Sequence, residues 1–281
     1  MAGAAARNSN PRIGTMKILA LCKYVPESTT NIKVKADGSG IETAGVKYVM
    51  NPFCEFAVEA ALQFKEKNTA AKAEVTVLTV GLAGHVEVLR TAMAMGADHA
   101  IHLADNKFVG LDELATAKVI AAAIKTAGFD LIFAGKHAID YDSGQVGPAL
   151  AEALNLPHAG AVTNIEWAGD FKSCTVRRRI EGAEEVVELK LPCLITVEKG
   201  LCEPRYPSLP GLMKAKKRPV DTKDAAALGL PADLFTKEGS GTWMGEFAPP
   251  PPRPPGRMLS GEPADMAKEL VRILRDEEKI I

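Results

Sequence analysis

The stretch GKHAIDYDSGQVGPALAEAL, Gly135 to Leu154, constrains this chain more than any other. It follows Phe129, Leu131, Ile132, Phe133 and Ala134, an apolar run that only Asp130 interrupts and that has the pattern of a short buried strand. A strand end, a polar loop and a helix follow in order, the junction that a parallel α/β sheet repeats. Gly135, Gly144 and Gly147 allow close backbone approach and positive φ, while Ser143 and Gln145 offer hydrogen-bonding side chains. Pro148 suits the first helical position, with Ala149, Leu150, Ala153 and Leu154 behind it. Unpaired N–H groups and the positive end of a helix dipole favour a phosphate in such a crevice. An ordinary strand-to-helix loop uses the same residue types, so local physics leaves a nucleotide site and a plain connection both open. The spacing is neither GxGxxG nor GxxxxGK[ST], which disfavours a Rossmann dehydrogenase and a P-loop nucleotide hydrolase.

The surrounding pattern is α/β. Lys17 to Cys22 is a buried first strand that ends at Pro26. Ile32 and Val34 alternate with lysines, DGSG turns, and Val46 to Met50 returns, which predicts a hairpin. A helix then starts with Asn51 as N-cap, Pro52 at its first position and an apolar stripe through Phe53, Ala57, Val58, Ala61 and Leu62. Ala73 to Gly81 is a strand, a helix runs through Val86, Leu89, Ala92 and Met93 to Gly96, and a third strand lies near Ala100 to Leu103. A helix over Leu114 to Ala127 is closed by Gly128 as C-cap. The order predicts a doubly wound, mostly parallel sheet, Rossmann-like and of the adenine-nucleotide-binding type. After Pro157, β segments separated by GD and EG turns predict an antiparallel extension before a last core strand at Cys193 to Val197.

From Gly200 the periodicity is lost. GLCEPRYPSLPGLMKAKKRPV carries Lys214, Lys216, Lys217 and Arg218 beside Leu209, Leu212 and Met213. A solvated basic turn is the bland reading of such a run; apolar residues rimmed by charge suit a partner contact. Asp221 to Leu234 has a helix-like portion, EGSGTWMGEFAPPPPRPPGR is a polyproline-type linker, and the last helix shows Met266, Leu270, Ile273 and Leu274 on one face. A helix on so stiff an arm needs another surface to cover that stripe. The expected organisation is an extension over residues 1–15, an α/β domain over 16–235 that includes the loop 200–219, and an arm over 236–281.

The chain has 281 residues, 47% of them hydrophobic, enough to bury a sizeable core. Its 34 basic and 35 acidic residues leave a net charge of -1, which gives no reason to expect nucleic acid or an anionic membrane as partner. Five scattered cysteines without CxxC spacing indicate reduced thiols and a cytoplasmic protein, and no apolar run is long enough to span a bilayer. The histidines have no ligand spacing, so no metal is expected; only His137 falls in the crevice. Asp140 and Asp142 suit loop stabilisation or a ribose better than an acid/base pair. Cys54 at a helix start is a candidate for a lowered thiol pKa, with small apolar packing the safer reading. A nucleotide crevice without a catalytic set favours a binding or carrier subunit over an enzyme acting alone.

VKYVMNPFCEFAVEAALQFKE, LRTAMAMGADHAIHL, GKHAIDYDSGQVGP and above all GLCEPRYPSLPGLMKAKKRPV, in this order, closely resemble the β subunit of electron transfer flavoproteins, from Met16 to Ile281. The resemblance implies a heterodimer with an α subunit that holds most of an FAD. Such a heterodimer takes electrons from flavoproteins of the acyl-CoA dehydrogenase type, in fatty acid β-oxidation, and passes them to a quinone-linked membrane oxidoreductase. It also implies a structural AMP in this chain, touched by Leu21, Asn51 to Cys54, Val80, and Gly135 to Val146, which includes Asp140, Ser143, Gly144 and Gln145. Phe53 and the turn after Lys23 would face the partner's flavin. Leu209 would be the apolar anchor that enters a dehydrogenase, with Lys214 and Lys217 flanking it, and the arm would wrap the α subunit. One branch of the family holds a second FAD in place of AMP and bifurcates electrons from NADH. NPFC and the retained EPRYPSLP run resemble the non-bifurcating type of many bacteria, whereas VGP is common to both. A stand-alone nucleotide sensor would share the sheet but leave the C-terminal extension unexplained.

Overall fold

In a computed structural model that describes residues 14–281, β1 (Lys17–Leu21) runs through the middle of a nine-stranded sheet. Ile18 and Ala20 face one core layer and Leu19 and Leu21 the other, the two-residue alternation of a strand. Both sets are apolar because helices cover both faces. β2 (Tyr24–Pro26) and β3 (Tyr48–Met50) form a separate antiparallel pair. The winding continues through α1 (Pro52–Lys67), β4 (Glu74–Gly81), α2 (Val86–Met95), β5 (His99–Ala104), α3 (Glu113–Ile124), β6 (Leu131–Gly135) and α4 (Val146–Leu154). β7 (His158–Trp167), β8 (Ser173–Ile180), β9 (Ala183–Lys190) and β10 (Cys193–Val197) follow, then α5 (Leu209–Lys216), β11 (Asp221–Lys223) and α6 (Pro263–Arg272).

The strand order is β11-β5-β4-β1-β6-β10-β7-β8-β9, parallel from β11 to β7 and antiparallel from β7 to β9. Buried residues of α1 and α2 share one core with Val75, Val77 and Phe133; those of α3 and α4 share the other with Leu78, Ile132 and Leu194. This is the doubly wound α/β fold. The chain first winds outward from β1 through β4 to β5, and α3 then returns it to β6 on the other side of β1. The reversal leaves a crevice beyond the carboxyl ends of β1 and β6.

Several expectations are corrected. The segment from Ile32 to Met50 is no continuous hairpin: Val34 and Ile41 form a single bridge, and β3 pairs with β2 instead. Stacking of Tyr24 on Tyr48, with ring centroids 5.0 Å apart, supports that register. Pro148 is the third residue of α4, not the first, because the helix already begins at Val146. Gly128 does not cap α3; the helix ends at Ile124, and Gly128 turns with φ 69° toward β6. Residues after Val220 enter the sheet as β11 beside β5 rather than as a helix, and only Ala232–Phe235 make a short 3₁₀ turn. Asp130 breaks the apolar run because its carboxylate accepts the Lys17 N–H at 2.9 Å, tying the starts of β1 and β6 together. The expected N-terminal extension lies outside the described residues up to residue 13.

Candidate functional site

Three strand ends and two helix starts meet at the crevice. Gly135 ends β6 against the first turn of α1, where a Cβ would stand 2.8 Å from Phe53 backbone and side-chain carbons. Gly147 lets α4 settle on β10, since a Cβ there would stand 2.4 Å from Thr196 Cγ2. Asn51 occupies the N-cap position of α1 but does not cap it with its side chain. Fully buried, the side chain reaches across instead: Nδ2 donates to His137 O at 2.8 Å and Oδ1 accepts from Ile139 N–H at 3.1 Å. One amide thus fastens the loop after β6 to the start of α1. At β4, His85 Nδ1 lies 3.0 Å from Val80 O, and Cys22 N–H donates to Leu78 O, joining the ends of β1 and β4.

Charged side chains of the loop are paired, whereas the backbone donors at its far end are not. Lys23 Nζ stands 2.8 Å from Asp140 and over the Tyr141 ring at 4.5 Å. His137 Nδ1 lies 2.8 Å from Asp142 Oδ1 and packs edge-on to Phe53 at 4.1 Å. Lys136 Nζ holds Glu198 at 2.7 Å. Burial opposes ionisation of Glu198, but this ammonium and the Lys199 N–H outweigh it and keep the carboxyl below its ordinary pKa. With Asp142 at φ 54° and Gly144 at φ 65°, the chain turns into α4. Among the described residues, the N–H groups of Ser143, Gly144, Gln145, Val146 and Gly147 have no acceptor within the chain, and Pro148 has no N–H. A run of free donors at a helix start is suited to a phosphate, bound through backbone and not through a basic side chain.

Thr79 and His102 are register partners on β4 and β5, and among the described residues Thr79 Oγ1 and His102 Nε2 are buried without a hydrogen-bond partner. Burial lowers the pKa of His102 and of His85. Cys54 packs in the core, as the safer reading expected, and burial raises its thiol pKa rather than lowering it: the helix start does not offset full desolvation. Among the described residues no group of His, Cys, Asp and Glu is arranged to hold a metal ion. No described helix is long and apolar enough to cross a membrane.

Leu21, Asn51, Phe53, Cys54, Val80, Gly135, Asp140, Ser143, Gly144, Gln145 and Val146 therefore stand together at the carboxyl end of the sheet. Leu21, Asn51 and Cys54 are buried, which leaves chiefly their backbone for a ligand. Lys23 and Lys136 border the same loop, just beyond the ends of β1 and β6. Leu209 and Lys214 lie elsewhere, on α5, with Lys217 just past its end; α5 packs against α2. The segment read as irregular is helical there because the Ser208 Oγ accepts the Gly211 N–H at 3.1 Å and caps it. Leu209 is 79% exposed and Met213 64%, one turn apart, with Tyr206 96% exposed before them. Among the described residues no carboxylate pairs with Lys214, Lys216 or Lys217. Beyond β11, Thr242 N–H donates to Asp112 and Phe247 N–H to Gly38 O, and α6 has no buried residue.

A doubly wound sheet with a donor-lined loop at its reversal point places the molecule among α/β proteins that take ligands at strand carboxyl ends. Comparison with known proteins narrows this class. Residues 39–228 match the family model described as electron transfer flavoprotein domain. The electron transfer flavoprotein subunit beta of Bacillus subtilis (strain 168) is 39% identical over 253 residues, 90% of this chain and 95% of the relative. The mitochondrial subunit beta of Oryza sativa subsp. japonica is 37% identical, covering 95% of this chain and 100% of its own length. The electron transfer flavoprotein subunit beta of Mus musculus is 39% identical over 224 residues, 79% of this chain and 86% of the relative. The chain belongs to the electron transfer flavoprotein β-subunit family.

Proposed function

We propose that this chain is the β subunit of a heterodimeric electron carrier, with a structural AMP in its own crevice and an FAD shared with an α subunit. The observation that carries the AMP assignment is the run of unpaired N–H donors from Ser143 to Gly147 beside Gly135, which suits a phosphate. Leu21, Asn51, Cys54 and Val80 would border the rest of the nucleotide through backbone groups. Their side chains are committed to packing or, for Asn51, to the loop. When bound, the flavin supplies the redox chemistry. This chain would present Phe53 and the turn after Lys23 to it and keep water from that side.

The electron donors would be flavoproteins of the acyl-CoA dehydrogenase type, as in fatty acid β-oxidation, and the acceptor a quinone-linked membrane oxidoreductase, reached from the cytoplasm. Leu209 supports this as an exposed apolar anchor with unpaired Lys214 and Lys217 nearby, the pattern for an apolar pocket with an acidic rim. The arm over 236–281 would wrap the α subunit, which would cover the apolar side of α6 that this chain leaves uncovered. The deciding measurement is extraction and chromatographic identification of the nucleotides that co-purify with the heterodimer. One FAD and one AMP per heterodimer is the expected result. Two FAD and no AMP would make this chain a redox subunit of a bifurcating complex acting with NADH and would overturn the proposal.

A further inference from the structure

α5 is held at both ends by arginines. At its far end Arg90 donates to Ala215 O at 2.7 Å and to Arg218 O, and Arg218 in turn donates to Ala97 O at 2.7 Å and to Asp98 O. In its first turn Gly211 lies so close to α2 that a Cβ would stand 2.9 Å from Ala94 O. Before it, Arg205 spreads its guanidinium over two carboxylates of α1. Nε and NH2 reach Glu59 at 2.8 and 3.0 Å, and NH1 and NH2 reach Glu66 at 2.6 and 2.8 Å. The Arg205 N–H donates to the same Glu59 carboxylate at 3.3 Å, and Cys202 Sγ lies 3.4 Å from Phe56 O.

Glu59 explains why this contact is specific. It is 3% exposed, set among the small apolar residues of α1, where a carboxylate is tolerable only if its charge and lone pairs are met. Arg205 meets it with a planar fork that also serves Glu66, seven residues further along the same helix. Hydrogen bonds from the two carboxylates raise the Arg205 pKa, and the arginine lowers that of Glu66. The irregular chain between β10 and α5 is thereby pinned by an ion pair four residues before Leu209.

We infer that Arg205 is the positioning residue of the docking element: its clamp on Glu59 and Glu66 fixes the approach to Leu209 before an electron donor arrives, so that docking does not have to order the loop. This rests on the reading of Leu209 as the donor anchor. Ordering a loop on binding weakens affinity and leaves the step after docking untouched. Arg205 itself is directed inward to α1 and is not part of the apolar face offered by Tyr206, Leu209 and Met213.

The test uses the intact heterodimer with an acyl-CoA dehydrogenase reduced by its acyl-CoA substrate, and follows electron transfer at varied carrier concentration. Arg205→Lys keeps the charge but cannot bridge both carboxylates. We expect its KM to rise about tenfold with kcat within about twofold and the bound-flavin spectrum unchanged. Leu209→Ala is measured alone and combined with Arg205→Lys. If the clamp works through Leu209, the double variant is little worse than Leu209→Ala alone. No effect of Leu209→Ala would overturn the anchor reading. An effect of Leu209→Ala without one of Arg205→Lys, or full additivity of the two, would overturn the clamp while leaving the anchor standing. Should Arg205→Lys fail to assemble, Glu66→Gln, at the exposed end of the clamp, must raise KM in the same direction, and an unchanged KM would overturn the inference.

Discussion

Asn51→Ala removes the side chain whose hydrogen bonds fasten the crevice loop to the start of α1. The substitution deletes the bonds to His137 O and Ile139 N–H, 2.8 and 3.1 Å long, and leaves two backbone groups of a half-buried loop unpaired. An unsatisfied buried polar group costs about 1–3 kcal/mol, and since the loop can move partly into water, a total of about 2–4 kcal/mol is expected. In a domain of this size each kcal/mol lowers Tm by about 2–4 °C, so the melting point of the heterodimer should fall by roughly 5–15 °C. Because Gly135 to Val146 are the proposed nucleotide contacts, the nucleotide co-purifying with this chain should fall too. Asn51→Asp sharpens the test. It keeps an acceptor for Ile139 but sets a carboxylate oxygen against the His137 carbonyl, so it should be no better than alanine. Scanning calorimetry and nucleotide quantification on the same preparations check both outcomes. A Tm within about 1 °C of the parent, with full nucleotide content, would refute the view that this amide holds the crevice together.

Deleting Pro249 to Ile281 removes α6, none of whose residues is buried within this chain, so the fold should survive while α-subunit association weakens; unchanged affinity by calorimetry would reject the wrapping arm. His85 and His102 have folded pKa values depressed by burial. Their stabilising contribution is complete above the unfolded value of about 6.5 and is lost as pH falls from there toward the folded values, because only the unfolded chain then binds the protons. Denaturant midpoints at pH 7.5 and 5.5 should therefore differ less in His102→Gln than in the parent, and an equal loss in both would contradict the assignment.

Legibility followed the strength of local constraint. β1, β4, β6 and β10 are apolar on both faces because both faces are covered, and such runs declare themselves. The crevice loop was readable because Gly135 and Gly147 admit no other residue without a clash. β11 was not, since three polar residues at a sheet edge have no periodicity to show. Asn51 read as a helix cap because its position is that of one; only the distant loop determines that its side chain turns away. Arg205 left one unused signal: Glu59 sits among Ala57, Val58, Ala60 and Ala61, and a buried carboxylate in such company requires a cation from somewhere. Sequence alone does not say from where, because the donor lies 146 positions away.

That separation has a consequence for how the molecule is made. After β10 the chain crosses α1 at Glu59, lies on α2 as α5, and only then joins the sheet as β11, with β6, β1, β4 and β5 between its two points of entry. Apart from its local Ser208 cap, the side-chain ties that place α5 span more than a hundred residues, to Glu59, Glu66, Arg90 or Ala97. Contacts so remote in the chain close late, once the intervening elements are in place. A partly folded chain, or one still being synthesised, should therefore have its crevice strands before it has α5 in place. The proposed docking surface is completed only on a finished sheet.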